Sequence, residues 1–210
     1  MKGFTCCNGT ALESNTKLQD SIYFRSVDNR ALYVNLFVPS TLTWHARNIV
    51  VQQMTDFPYA DTTRLVVKGN GRFDVKIRVP RWAKRGFFVK INGRDEKVKA
   101  VKAVPGTYMT LARTWRDNDT IELRMPFSFD LTPVVDQPNV ASVFYGPVLL
   151  AAEESGPRTD WRPITLDARD LARSIAGDPA ALRFTIDGVA FKPFYESYER
   201  YSVYLHVSLK

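Results

Sequence analysis

From Arg30 onward, apolar residues recur at every second position rather than every third or fourth. Leu32, Val34, Leu36 and Val38 alternate with Tyr33, Asn35 and Phe37, and Pro39 closes the run. Phe73, Val75, Ile77 and Val79 alternate with Asp74, Lys76 and Arg78, and Ile121, Leu123 and Met125 with Glu122 and Arg124. A strand sends successive side chains to opposite faces, so this period marks sheets with one wet and one buried face. Phe127, Phe129 and Leu131 carry the pattern past Pro126, and runs at 140–145 and 148–152 flank Gly146-Pro147. Residues 87–91 lead into Asn92-Gly93, and 182–186 and 189–194 are joined by Asp187-Gly188. Both dipeptides tolerate the positive φ that a two-residue hairpin turn demands. Tyr201, Val203, Leu205 and Val207 alternate with Ser202, Tyr204 and His206. Strands at roughly ten-residue spacing, with turn signals between them, predict a mainly β chain built as an antiparallel β-sandwich.

Two segments depart from that period. Near the start, Gly9 breaks the chain, and Thr10 and Glu13 have the spacing of a capping box. Ala11, Leu18 and Ile22 then fall near one face of a helix predicted over 10–23. Further on, 153–163 is polar and contains prolines, and a short helix is expected after it, with Asp167 as cap and Gly177 as stop. The chain therefore divides into 1–24, a loop and one helix, and 25–210, a β-sandwich region with an irregular or helical insertion at about 153–181. A lone helix has nothing helical to bury its face against, so it reads as the last helix of an upstream α-helical domain.

Composition narrows the function. The 210 residues suffice for one or two domains, and 45% hydrophobic with 24% charged residues is ordinary for a globular chain. No apolar run is long enough to cross a bilayer, so no membrane partner is expected. Much of the +7 net charge lies in Arg81, Lys84, Arg85, Lys90, Arg94, Lys97, Lys99 and Lys102. No nucleic-acid motif accompanies this run, so it reads as a solvated face of alternating strands and no nucleic-acid partner is expected.

The two cysteines, Cys6 and Cys7, are adjacent. A disulfide framework needs spaced pairs, and neighbouring cysteines do not easily meet disulfide geometry. They read as thiols or metal ligands. A position just before a helix start favours the thiolate, through the helix dipole and the N–H groups that lack intrahelical partners. Two thiolates supply only part of a tetrahedral zinc shell. His45 follows Trp44 at a strand end and His206 lies within a strand pattern, so any closed zinc site takes ligands from elsewhere. No spaced Ser/His/Asp set, phosphate loop or CxxC pair is present. Trp82, Tyr195, Tyr198 and Tyr201 could offer aromatic faces to a sugar, although packing is the commoner use of such rings.

The run Cys6-Cys7-Asn8-Gly9-Thr10-Ala11-Leu12-Glu13-Ser14-Asn15-Thr16-Lys17, ending in Asp20-Ser21-Ile22-Tyr23, resembles the bacterial β-L-arabinofuranosidase families. So do 32–40 (LYVNLFVPS), 53–58 (QMTDFP), 78–83 (RVPRWA), 89–93 (VKING), 114–119 (TWRDND) and 145–150 (YGPVLL). The terminal Phe194-Tyr195-Glu196 and Glu199-Arg200-Tyr201 complete a resemblance that covers nearly the whole chain in order, with 160–181 matching least.

That resemblance implies a zinc-thiolate glycoside hydrolase in which an (α/α) helical barrel carries the cleft and β-sandwich domains follow. It implies that Cys6 is the nucleophile and a zinc ligand and that Cys7 is a second zinc ligand. A Glu, a third Cys and the Glu acting as general acid/base would come from the barrel. The expectation is the C-terminal part of a retaining enzyme of the bacterial cytoplasm or periplasm, acting on an arabinofuranoside-type carbohydrate. Its partners would be the missing N-terminal barrel and, through an exposed helix face, a second copy of the chain. The chain alone would be inactive. The alternative is a non-catalytic β-sandwich module for carbohydrate binding or domain docking.

Overall fold

The computed structural model describes residues 5–17, 19–95 and 103–210. The chain forms two compact units. The first is made of Met1–Thr55, Thr63–Val79 and Val89–Glu122, and the second of Asp56–Thr62, Pro80–Phe88 and Leu123–Lys210. A helix, α1 (Thr5–Thr16), precedes strands β1 (Tyr23–Arg25), β2 (Ala31–Val34), β3 (Ser40–Trp44), β4 (Ile49–Thr55), β5 (Thr62–Lys68), β6 (Gly71–Arg78), β7 (Phe88–Ile91), β8 (Arg94–Asp95), β9 (Tyr108–Trp115) and β10 (Asp119–Arg124). These strands form two sheets, ordered β1-β2-β6-β9 and β3-β4-β5-β10-β7-β8.

The period-two pattern becomes a core. Val34, Phe73, Val75, Ile77 and Trp115 of one sheet, and Ile49, Val51, Leu65, Val67 and Ile121 of the other, are all buried. Trp44 meets Phe73 edge-on, with ring centroids 5.4 Å apart, and buried Trp115 donates its indole N–H to the Phe73 carbonyl at 3.0 Å. Each such side chain contributes roughly 1.5–3 kcal/mol by leaving water.

The later strands are β11 (Phe129–Val134), β12 (Gln137–Tyr145), β13 (Val148–Glu153), β14 (Arg162–Leu166), β15 (Ile175–Asp178), β16 (Arg183–Ile186), β17 (Val189–Pro193), β18 (Tyr201–Ser202) and β19 (Leu205–Leu209). Their sheet runs β14-β19-β12-β13-β17-β16-β15, with β11 on β12 and β18 on β13. Val143, Leu150, Ile164, Leu166, Phe184, Ile186, Phe191 and Leu205 form its buried cluster. The hairpin dipeptides behave as expected. Asn92 and Gly93 have φ of 52° and 75°, and Asp187 and Gly188 have 47° and 75°. Pairs such as β3 with β4, β4 with β5 and β6 with β9 are antiparallel, whereas β2 with β6 and β14 with β19 run parallel.

The helix differs from its expected bounds. It begins at Thr5 and ends at Thr16, so the cysteine pair lies in its first turn rather than in a preceding loop. Thr10 lies inside the helix rather than at its N-cap, and Glu13 pairs with Lys17 one turn on. Ile22 is buried beyond the helix, at the approach to β1, and Leu18 lies outside the described residues. Every described side chain of α1 is exposed, Leu12 at 70%. A surface Glu–Lys pair adds at most about 0.5 kcal/mol, and a helix of this length is marginal by itself. Packing within this chain therefore holds the helix far less firmly than it holds the sheets.

The strand expected over 32–38 stops at Val34. The N–H groups of Asn35 and Leu36 both turn to the Ile22 carbonyl, and the buried Gln53 amide donates to the carbonyls of Leu36 and Val38. This bend buries Phe37 and exposes Val38, reversing the expected alternation.

The expected short helix after 163 is a strand and a single 3-10 turn. β14 is followed by a turn at Leu171–Ser174 whose cap is Asp170, accepting from the Ala172 N–H at 3.2 Å. Asp167 instead folds back on the N–H groups of Arg169 and Asp170. Gly177 stops no helix. It sits in β15 with φ 142°, crowded against the Arg183 carbonyl.

Within the basic run, Lys97, Lys99 and Lys102 lie outside the described residues. Arg81, Lys84, Arg85, Lys90 and Arg94 are exposed, and Lys84, Arg85 and Lys90 pair with Asp130, Asp170 and Asp95. A run interleaved with carboxylates is a solvated face. No helix among the described residues is long and apolar enough to cross a membrane.

Candidate functional site

Cys6 and Cys7 occupy consecutive positions in the first turn of α1. The Cys7 side chain is exposed. Glu13 is one to two turns further on and is engaged with Lys17. Among the described residues, no three His, Cys, Asp or Glu side chains converge as a metal cage would require. The side chains described on α1, Cys7 among them, are exposed.

The two histidines stand apart from it in role. His45 opens a one-turn 3-10 helix, His45–Arg47, after β3 and is exposed. That turn is anchored by Arg47, which donates to the Asn29 carbonyl at 2.6 Å and stacks over Trp44. His206 is an exposed strand residue on β19, opposite Val140. Among the described residues, neither joins a cluster of three metal-ligating side chains.

Of the aromatic residues singled out in the sequence, Trp82 is used in packing. It stacks on Phe57 with centroids 5.9 Å apart and meets Phe127 edge-on at 5.4 Å, and Phe127 meets Tyr145. Tyr195 is half exposed, and burial raises its hydroxyl well above the ordinary value, assisted by a hydrogen bond with Tyr59. Tyr59 donates to Glu196 at 3.3 Å, and Glu196 also pairs with Arg183. Tyr198 is almost fully exposed, and Tyr201 lies edge-on to Phe194 at 5.3 Å.

A second feature was hidden in the polar stretch 153–163. Glu154, just past β13, has a side chain only 4% exposed. It is held by both arms of Arg162, by the Ser202 hydroxyl at 2.7 Å and, at 3.9 Å, by Arg158. The Arg162 hydrogen bonds hold its carboxyl below the ordinary range, outweighing the opposing effect of burial. Beside it opens a cleft of about 740 Å³ between the 154–161 loop and residues 199–204. Trp161 and Tyr204 meet edge-on in its wall, centroids 6.0 Å apart. The signal available in the sequence was an isolated Trp within a polar run, facing a Tyr on the polar side of a strand pattern.

Comparison with known proteins bears on the chain as a whole. Residues 31–127 match the family model described as β-L-arabinofuranosidase, GH127 middle domain. No curated protein matches the chain. Among solved structures, one described as a glycoside hydrolase superposes with a TM-score of 0.76 at 19% identity, over 99% of this chain and 40% of its own. A GH127 β-L-arabinofuranosidase from Geobacillus stearothermophilus T6 gives 0.73 at 20% identity, over 97% of this chain and 37% of its own. A GH127 β-arabinofuranosidase gives 0.66 at 20% identity, over 89% and 36%. At such identities the likeness is one of fold. The chain spans about two fifths of the length of the structures it matches.

Proposed function

We propose, from the premise that residues 31–127 are a GH127-type middle domain, that this chain is the C-terminal portion of a retaining glycoside hydrolase acting on L-arabinofuranosides or related sugars. The observation that carries the reading is the position of that domain. It follows, after β1, a helix bearing adjacent cysteines, and the fold likeness runs through nearly the whole chain. The rest of the cleft would lie on the part of such a protein that this chain does not span.

In this reading Cys6 is the nucleophile. Its sulfur attacks the anomeric carbon as the bond to the leaving oxygen breaks, and a carboxylic acid from the helical barrel protonates that oxygen. The same carboxylate then takes a proton from water. The water oxygen bonds to the anomeric carbon and displaces the thiolate, so two inversions leave the configuration retained.

Cys6 and Cys7 fit zinc by donor type, since thiolates are among its preferred ligands. They do not fit by count, because two donors fill half of a tetrahedral shell and the described residues bring no third to the same place. The pair is thus this chain's share of a zinc site. When bound, zinc would keep a coordinated thiol ionised.

The test is hydrolysis of an aryl β-L-arabinofuranoside by the intact protein and by its Cys6→Ser variant. The expected result is loss of several orders of magnitude, because a serine hydroxyl is not ionised at neutral pH. Near-normal turnover in the variant overturns the assignment. The 210-residue chain given zinc should not turn over the substrate. Zinc-dependent turnover that disappears in Cys6→Ser would show the chain to be a complete enzyme.

A further inference from the structure

We propose that the cleft beside Glu154 is a binding site for a neutral oligosaccharide. The inference is independent of the hydrolase reading, since every residue it uses lies in the second unit.

The first argument is the aromatic wall. Trp161 and Tyr204 are each 49% exposed, and Tyr201, on the same cleft, is 41% exposed. Single exposed aromatics are common, but several converging on one concavity leave a large apolar area in water. Trp161 and Tyr204 meet at 70°, so their rings form two walls at a steep angle rather than one flat patch. The axial C–H face of a sugar ring matches such a wall, and aromatic rings contribute large contact area at small conformational cost.

The second argument is charge. Arg158 and Arg200 line the cleft together with Glu154, Asp160 and Glu199, and Arg162 stands behind Glu154 as its ion-pair partner. With Arg162 offsetting Glu154 from behind, two cations and two carboxylates remain facing the cleft. The cleft therefore holds many hydrogen-bonding groups and no net charge, which suits hydroxyls and gives no preference to an anion or a cation.

The third argument is rigidity. The Glu154 carboxylate is buried and tied to Arg162 from β14, to Ser202 from β18 and to Arg158 from the loop. The Glu154 N–H also donates to the Arg200 carbonyl at 3.1 Å. One side chain thus fixes both walls of the cleft before any ligand arrives. A preformed site loses less entropy on binding than one that must be ordered.

The experiment is calorimetric titration of the purified 210-residue chain with arabinohexaose, xylohexaose and cellohexaose, and with hexagalacturonate as the anionic probe. At least one neutral hexasaccharide should bind saturably. Trp161→Ala and Tyr204→Ala should each weaken it by about tenfold or more, the loss of one ring contact of roughly 1.4 kcal/mol. Trp161→Phe should restore part of the loss. Tyr198→Ala, which removes a still more exposed ring outside the cleft lining, should bind as wild type. Circular dichroism confirms that each variant keeps its sheets. The proposal is overturned if no neutral probe binds at millimolar concentration, if the anionic probe alone binds, or if the two alanine variants bind as well as wild type. The first of these would indicate that the aromatic wall is a docking face for another part of a larger protein.

Discussion

Glu154→Gln should destabilise the protein by about 3 kcal/mol at neutral pH. The substitution keeps shape and volume but removes the negative charge that Arg162 faces through two hydrogen bonds. Breaking a fully buried ion pair by neutralising one partner costs roughly 3–5 kcal/mol, because the remaining charge stays desolvated. The Glu154 side chain is 4% exposed and that of Arg162 18%, so solvent recovers part of the cost and the lower end applies. For a chain of this size that corresponds to roughly 6–12 °C in melting temperature. Hydrogen bonds from Arg162 hold the Glu154 carboxyl below its usual 4.5 in the folded state, against the opposing pull of burial. A depressed carboxylate contributes stability that is fully present above the unfolded value and is lost as pH falls through the folded one. The difference between wild type and variant should therefore be largest at pH 7 and should narrow as pH falls below 4.5 toward the lowered folded value. Differential scanning calorimetry at both pH values, with Arg162→Met and the double variant completing a cycle, measures it. A variant within about 0.5 kcal/mol of wild type at pH 7, or a gap unchanged in acid, would refute the reasoning.

Two further substitutions probe other parts of the chain. Asp119 is buried and accepts from the Arg116 N–H and the Asn92 amide; burial raises its pKa, but these bonds outweigh that and hold it low. Asp119→Asn turns an amide donor toward existing donors and should cost about 1–3 kcal/mol in urea denaturation, a penalty that shrinks in acid. Gly177→Ala would place a Cβ 2.1 Å from the Arg183 carbonyl at a φ that L residues rarely adopt. It should lower the melting temperature by more than the 2–4 °C that about 1 kcal/mol represents, and an unchanged melting curve would contradict the β15 geometry.

What the sequence made legible follows from the locality of each signal. β6 could be read from Phe73, Val75 and Ile77 because its two faces see uniformly different surroundings. The Asn92-Gly93 and Asp187-Gly188 turns could be read because the required φ is a property of the dipeptide itself. The bend after Val34 could not, since it is imposed by Ile22 and Gln53, which are distant in sequence. Thr10 and Glu13 had capping spacing, yet the helix starts five residues earlier, at Thr5, and Glu13 is taken by Lys17. The parallel pairings of β2 with β6 and β14 with β19 leave no local mark, because strand direction is set by connections. The Cys6-Cys7 pair was visible as a motif, whereas the Trp161–Tyr204 wall exists only once β14 and β19 lie side by side.

The place of β19 in its sheet governs the order in which that sheet can be assembled. It lies between β12 and β14, antiparallel to the first and parallel to the second. During synthesis, both neighbours leave the ribosome well before Leu205–Leu209 does. Until then β12 offers one open ladder edge and β14 stands at the sheet's margin without the strand that joins it. Pairings so distant along the chain form slowly, and open edges are where nascent chains associate wrongly. β19 therefore joins two strands made before it, and a chain truncated ahead of Leu205 would leave β14 without its partner in the sheet.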